Sequence, residues 1–153
     1  MEIERKFLVA KLPEDLGAFP KAEIRQGYLE ITDKTETRLR QKGNKYLRTV
    51  KTGAGKVREE TETEITGEEF RALWPGTDGR RVEKTRYDIP YGKFTIELDI
   101  YRNALKGLIV AEVEFESAAA SEAFLPPDWL GREVTEDKSY KNQSLATNGL
   151  PKS

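Results

Sequence analysis

Neither cysteine nor histidine occurs among the 153 residues. Their absence excludes disulfide frameworks, thiolate nucleophiles, Cys/His zinc sites, Ser/His/Asp triads and imidazole acid–base chemistry. Any catalysis must come from carboxylates, lysine and arginine, hydroxyls, or a metal bound through oxygen. Net charge is also scarce: 26 basic side chains against 27 acidic ones leave −1, too little for a strongly basic nucleic-acid binder. No apolar run approaches the roughly 18 residues of a membrane span, and Glu2, Glu4, Arg5 and Lys6 directly after Met1 do not make a signal peptide. A cysteine-free chain fits the cytoplasm. The expectation is a soluble cytoplasmic protein with neither nucleic acid nor membrane as partner, and the length suits one domain over residues 1–153.

What the chain has in abundance is charge, 35% of its residues, laid out with a period of two. That period marks strands with unlike faces. It runs through 1–9, 22–32, 36–42, 45–51, 57–65, 81–90, 93–102 and 108–116, with a hairpin signal at Gly43-Asn44. It breaks at Thr66, a helix N-cap followed by Phe70, Leu73 and Trp74 on one face and stopped by Pro75-Gly76. Ser117 caps a second helix that ends at Pro126-Pro127, and the tail over 134–145 reads as a turn and a short helix. Eight antiparallel strands with a few short helices point to a mainly β protein whose sheet closes on itself.

Residues two apart on a strand share a face. One face collects Glu2, Glu4 and Lys6; Arg38 and Arg40; Lys51; Glu60 and Glu62; Lys84 and Arg86; Glu97 and Asp99; Glu112 and Glu114. The other collects Ile3, Phe7 and Val9; Leu39; Tyr46 and Val50; Ile96, Leu98 and Ile100; Val113 and Phe115. A wet outer face accounts for any one of the charged pairs. It does not account for their segregation into basic strands and acidic strands, because like charges two apart repel. With the charged face turned inward and helices over the apolar exterior, the result is a tunnel with a cationic wall and an anionic wall. Clustered carboxylates without His or Cys suit magnesium, manganese or calcium, and an Arg/Lys wall suits phosphate oxygens. Together they describe a metal-bound polyphosphate. Tyr28 faces the same tunnel by parity, as a phosphate donor or a packing residue.

Glu2-Ile3-Glu4-Arg5-Lys6 is an E-x-E-x-K pattern, followed in order by Arg38-Leu39-Arg40, Thr49-Val50-Lys51, Glu60-Thr61-Glu62, Lys84-Thr85-Arg86, Glu97-Leu98-Asp99 and Glu112-Val113-Glu114. This succession, through residues 133–142, resembles the CYTH superfamily, the triphosphate tunnel metalloenzymes, and among them the short bacterial inorganic tripolyphosphatases. The resemblance implies an eight-stranded antiparallel tunnel barrel with short helices outside, no accompanying helical CHAD domain, a magnesium or manganese cofactor, a triphosphate-containing small molecule as substrate, and a homodimer. It implies catalytic roles for Lys6, Arg38, Arg40, Lys84 and Arg86, which with Lys51 and Lys138 would hold the triphosphate. Glu2, Glu4, Glu112 and Glu114 would bind metal, with Glu60, Glu62, Glu97 and Asp99 as further acidic partners. Adenylate cyclases of class IV and thiamine triphosphatases share the tunnel. A non-catalytic polyphosphate sensor could use it too, though a pure binder needs the cationic wall more than the acidic pairs.

Overall fold

Alternating segments joined by short turns pair with their neighbours in sequence, and here they do so twice before the N-terminal strand joins the two groups to the tail. The computed structural model describes residues 3–54 and 57–152. Nine strands make one antiparallel sheet: β1 (Ile3–Val9), β2 (Lys21–Ile31), β3 (Thr35–Lys42), β4 (Lys45–Ala54), β5 (Val57–Ile65), β6 (Arg81–Tyr91), β7 (Phe94–Tyr101), β8 (Ile109–Phe115) and β9 (Leu130–Glu133). Their order is β5-β4-β3-β2-β6-β7-β8-β1-β9. Gly43, with φ of +59°, makes the tight turn between β3 and β4 that a side chain would strain.

Three short helices complete the fold: α1 (Gly67–Leu73), α2 (Ala118–Ala123) and α3 (Asn142–Asn148). Thr66 and Ser117 cap the first two as their sequence positions suggest, their hydroxyls accepting from the backbone N–H of Glu69 and Ala120. Each of these helices covers an apolar patch of the outer face. Phe70 of α1 and the adjoining Trp74 bury against Leu39. The segment that follows α2 brings Phe124 onto Phe7, Phe115 and the outward side chains of β7 and β8.

A third cluster lies on the other side of the sheet. Val82, Tyr101 and Val110 share strand parity with Lys84, Asp99 and Glu112, so they continue the inner face; there they pack with Tyr28 against Val134, Tyr140, Leu145 and Ala146 of the tail. The inner face is charged over most of its length and apolar at one end, and the tail fills that end.

The tunnel architecture is the expected one, with two differences of detail. There are nine strands, because after Pro126-Pro127 the chain returns along β1 and pairs Leu130 with Val9 and Glu133 with Phe7. Among the described residues no ladder joins the edge strands β5 and β9, so the curl is not closed by hydrogen bonds there. Edge strand β5 carries Glu59, Glu60, Glu62 and Glu64, and charge along an edge opposes pairing with a further strand.

Gly27, midway along β2, sits where β2 crosses the turn after α1. A Cβ at this position would lie 2.6 Å from Cβ of Thr77, which is itself fully buried. Only glycine permits that approach.

Candidate active site

The curled sheet encloses a cavity of about 1170 Å³, roomy enough for an extended polyanion and water. Its cationic wall comes from β3, β4 and β6, with the polar side chains of β2 between β3 and β6. Tyr28 stands opposite Arg38, and Gln26 opposite Arg40, in the β2–β3 ladder. Lys51 on β4 lies 3.8 Å from Glu36. Arg86 completes this wall on β6. The Nε atoms of Arg38 and Arg40 are buried and have no hydrogen-bond partner. An unmet donor on a buried cation is costly unless an anion comes to it. Burial, followed by the nearby Arg86 and Arg38, pushes the Arg40 guanidinium below its ordinary pKa. Burial also raises the Tyr28 hydroxyl, with Glu36 adding to the effect, so it stays protonated as a donor; it accepts from Gln26 at 2.8 Å.

The acidic wall is built by register. Glu4 of β1 is the direct partner of Glu114 on β8, and Glu112 is the direct partner of Glu97 on β7. Four carboxylates on three adjacent strands thus share one patch of the cavity lining. Lys6 lies 3.2 Å from Glu112, and Arg86 lies 3.3 Å from Glu97. Burial is the largest influence on Glu97 and raises its pKa; Arg86 opposes the rise, and Glu112, Asp99 and Glu114 add to it. On the far side Glu60 and Glu62 of β5 also line the cavity. The donor set is all oxygen and fits a hard divalent cation in kind. Among the described residues no three carboxylates converge closely enough to hold such an ion by themselves. Glu2, the remaining expected ligand, lies outside the described residues.

A family model of the CYTH domain matches residues 1–148. The chain belongs to the CYTH family. It is 52% identical over 149 residues to an inorganic triphosphatase of Nitrosomonas europaea, covering 95% of this chain and 96% of that protein. To an inorganic triphosphatase of Acetivibrio thermocellus it is 37% identical over 150 residues, covering 96% and 94%. A crystal structure of an inorganic triphosphatase superposes with a TM-score of 0.82 at 48% identity, over 96% of this chain and 95% of that one. A structure from Pyrococcus horikoshii OT3, at 24% identity with a TM-score of 0.54 over 80% and 82% of the two chains, shares the fold.

Within this CYTH tunnel most of the expected site residues meet. Lys6, Arg38, Arg40, Lys51, Arg86 and Tyr28 line the cavity, as do Glu4, Glu60, Glu62, Glu97, Glu112 and Glu114. Three do not. Lys84 and Asp99 have the right parity but lie beneath the lining, 2% and 3% exposed, bonded to each other at 2.8 Å. They sit nearer the apolar end, where Lys84 stands opposite Tyr101 and its ammonium lies 5.2 Å from that ring. Lys138 is exposed and away from the cavity, because its 3-10 turn spends the inward direction on Tyr140. The tail lysine at the cavity is Lys141, which in sequence looks merely solvated.

Sequence reasoning also passes over Gln26, Glu36, Lys42, Asn142 and Gln143, all of which line the cavity. Parity could have found three of them, since Gln26 lies two before Tyr28, Glu36 two before Arg38, and Lys42 two after Arg40. Asn142 and Gln143 carry no such signal. They arrive through the tail: Tyr101 donates to Asn142 at 3.1 Å, and Gln143 donates to Glu36 at 2.8 Å, tying α3 across the opening.

Proposed function

We propose that this protein hydrolyses inorganic tripolyphosphate to pyrophosphate and orthophosphate with a divalent ion, magnesium or manganese, as cofactor. The observation that carries the reading is the pair of buried Nε donors without an acceptor on Arg38 and Arg40, two residues that line a cavity whose other wall is carboxylate. Phosphate oxygens are the acceptors such a cluster fits best. Two relatives named inorganic triphosphatase, each matching nearly the whole chain, support the same substrate class.

In this reading Arg38, Arg40, Lys51 and Arg86 bind and align the phosphate chain, and Lys6 and Tyr28 supply further donors beside it. Their charges oppose the negative charge that grows on the transferred phosphoryl group and on the leaving pyrophosphate. Water attacks the terminal phosphorus in line with the bridging oxygen; that P–O bond breaks, pyrophosphate leaves with its electrons, and the water proton passes to a wall carboxylate or to solvent. Glu4, Glu97, Glu112 and Glu114, with Glu2, are the residues that would hold the divalent ion. When bound, it offsets charge on the substrate and polarises its phosphoryl oxygens.

The test is ion chromatography of products from tripolyphosphate, pyrophosphate, ATP and thiamine triphosphate, with magnesium and with manganese. Equal amounts of pyrophosphate and orthophosphate from tripolyphosphate, abolished by chelation, are the expected result. Cyclic AMP as main product from ATP would reassign the chain to cyclase chemistry, and binding without turnover would make it a sensor. The cytoplasmic setting and the homodimer belong to the same proposal, and light scattering on the purified protein checks the latter.

A further inference from the structure

Asp99 has the parity of a metal ligand and the surroundings of something else. Its Oδ1 accepts from Nε of Arg86 at 2.8 Å, and its Oδ2 accepts from Nη2 of Arg86 at 2.9 Å. Oδ2 also lies 2.8 Å from Nζ of Lys84. An oxygen that accepts twice has both lone-pair positions engaged. Three of the carboxylate's four lone-pair positions are therefore taken by side chains of the neighbouring strand, and the group is almost wholly buried and absent from the cavity lining.

The register explains how. Arg86 is the direct cross-strand partner of Asp99, and Lys84, two residues back on β6, is its diagonal neighbour. Glu97, two residues back on β7, takes Nη1 of Arg86 at 3.3 Å. A guanidinium has five N–H donors. Three are committed to Asp99 and Glu97, and two remain, one on each terminal nitrogen, on a residue that lines the cavity. An arginine held by a two-bond fork cannot swing about its long side chain, so its remaining donors are presented in one direction. Lys84, which does not line the cavity, is the second cation on Asp99; with Glu97 on Arg86 the group holds two carboxylates and two cations.

We propose that Asp99 is a positioning residue, which aims Arg86 at the phosphate chain, and that it is not a metal ligand. The inference rests on the tripolyphosphate reading given above.

Asp99→Asn separates the alternatives when two ligands are titrated independently by calorimetry: tripolyphosphate in the presence of a chelator, and manganese in the absence of substrate. The expected result is a tenfold or greater loss of tripolyphosphate affinity, with manganese affinity within twofold of wild type. In an Arg86→Ala background, Asp99→Asn should weaken tripolyphosphate binding by less than a further twofold, since Asp99 acts through Arg86. The Nε–H of Arg86, followed by nitrogen-edited NMR, should exchange faster in Asp99→Asn, whose one acceptor oxygen cannot keep the two-oxygen fork. Because that variant leaves Lys84 buried without its counter-charge, Lys84→Met combined with Asp99→Asn serves as the second variant and should show the same affinity loss. Lost manganese binding, or an effect that adds in full to Arg86→Ala, overturns the proposal. An Nε–H as well protected in Asp99→Asn as in wild type overturns the fork alone. Wild type that binds no tripolyphosphate overturns the substrate reading and the target of Arg86 with it.

Discussion

Replacing Arg40 by methionine should lower activity and raise stability together. Methionine keeps most of the aliphatic stem and removes only the guanidinium, whose Nε has no partner and whose charge is opposed by burial and by Arg86 and Arg38. In the substrate complex a forked arginine makes two charge-assisted bonds to phosphate, each about 1.5–3 kcal/mol. The lower end of their sum, about 3 kcal/mol, corresponds to roughly a hundredfold loss in kcat/KM at 1.4 kcal/mol per factor of ten. In the free protein the same change removes a half-buried cation whose Nε–H is unmet, so Tm should stay level or rise. Continuous phosphate release gives the first quantity, and calorimetry without ligand gives the second. Tripolyphosphate should also raise Tm less for the variant than for wild type, by linkage. A kcat/KM within about threefold of wild type would refute the reasoning, as would a large fall in ligand-free Tm, which would mark Arg40 as a structural ion.

Three further outcomes follow from single residues. Glu97 has a folded-state pKa above its unfolded value of about 4.3, so its favourable contribution is present below that value and lost as pH rises through the folded pKa. Glu97→Gln should therefore stabilise the metal-free protein at pH 7, with a gain in Tm that shrinks on acidification; a gain that grows at low pH contradicts this. Asp99 has the opposite sign. Burial would raise its pKa, but Lys84 and Arg86 together bring it below the ordinary value, so its contribution holds above about pH 4 and fades only as pH falls through the lowered pKa. Gly27→Ala should cost about 1–3 kcal/mol in a denaturant melt through its contact with Thr77, and an unchanged midpoint would show that the crossing can relax.

Much of this molecule is legible in its alternation. Strand parity alone separates Arg38, Arg40 and Glu112 from Leu39 and Val113, and the hydroxyls of Thr66 and Ser117 mark both outer helices to within a residue. What parity cannot see is depth. Lys84 and Arg86 are equivalent by pattern, yet Arg86 reaches the cavity and Lys84 lies below it, because the inner face runs from polar to apolar along the strand and the tail packs on the apolar end. Short elements held by tertiary contacts are equally silent: β9 has four residues and pairs only because β1 offers it an edge. The difference between Lys138 and Lys141 hangs on a single 3-10 turn, whose Asp137 cap accepts from the backbone of Ser139; local propensity does not fix which lysine faces in.

The place of β1 in the sheet has a consequence for how the molecule comes into being. The meanders β2 to β5 and β6 to β8 close over short stretches of chain, whereas Glu4 finds Glu114 only when the first strand is brought beside one of the last. Long-range pairing of this kind is entropically late. During synthesis at roughly 5–20 residues per second, the basic strands are made and paired while their acidic counterpart has no partner yet emerged. Trp74, packed on Leu39 and Phe70, belongs to an early local unit; the Glu97–Glu112 half of the anionic patch forms with the β7–β8 hairpin, and Glu4 joins it only at the final closure. The chain thus acquires a stable scaffold before it acquires a complete site, and its competence is decided by the last ladder to form.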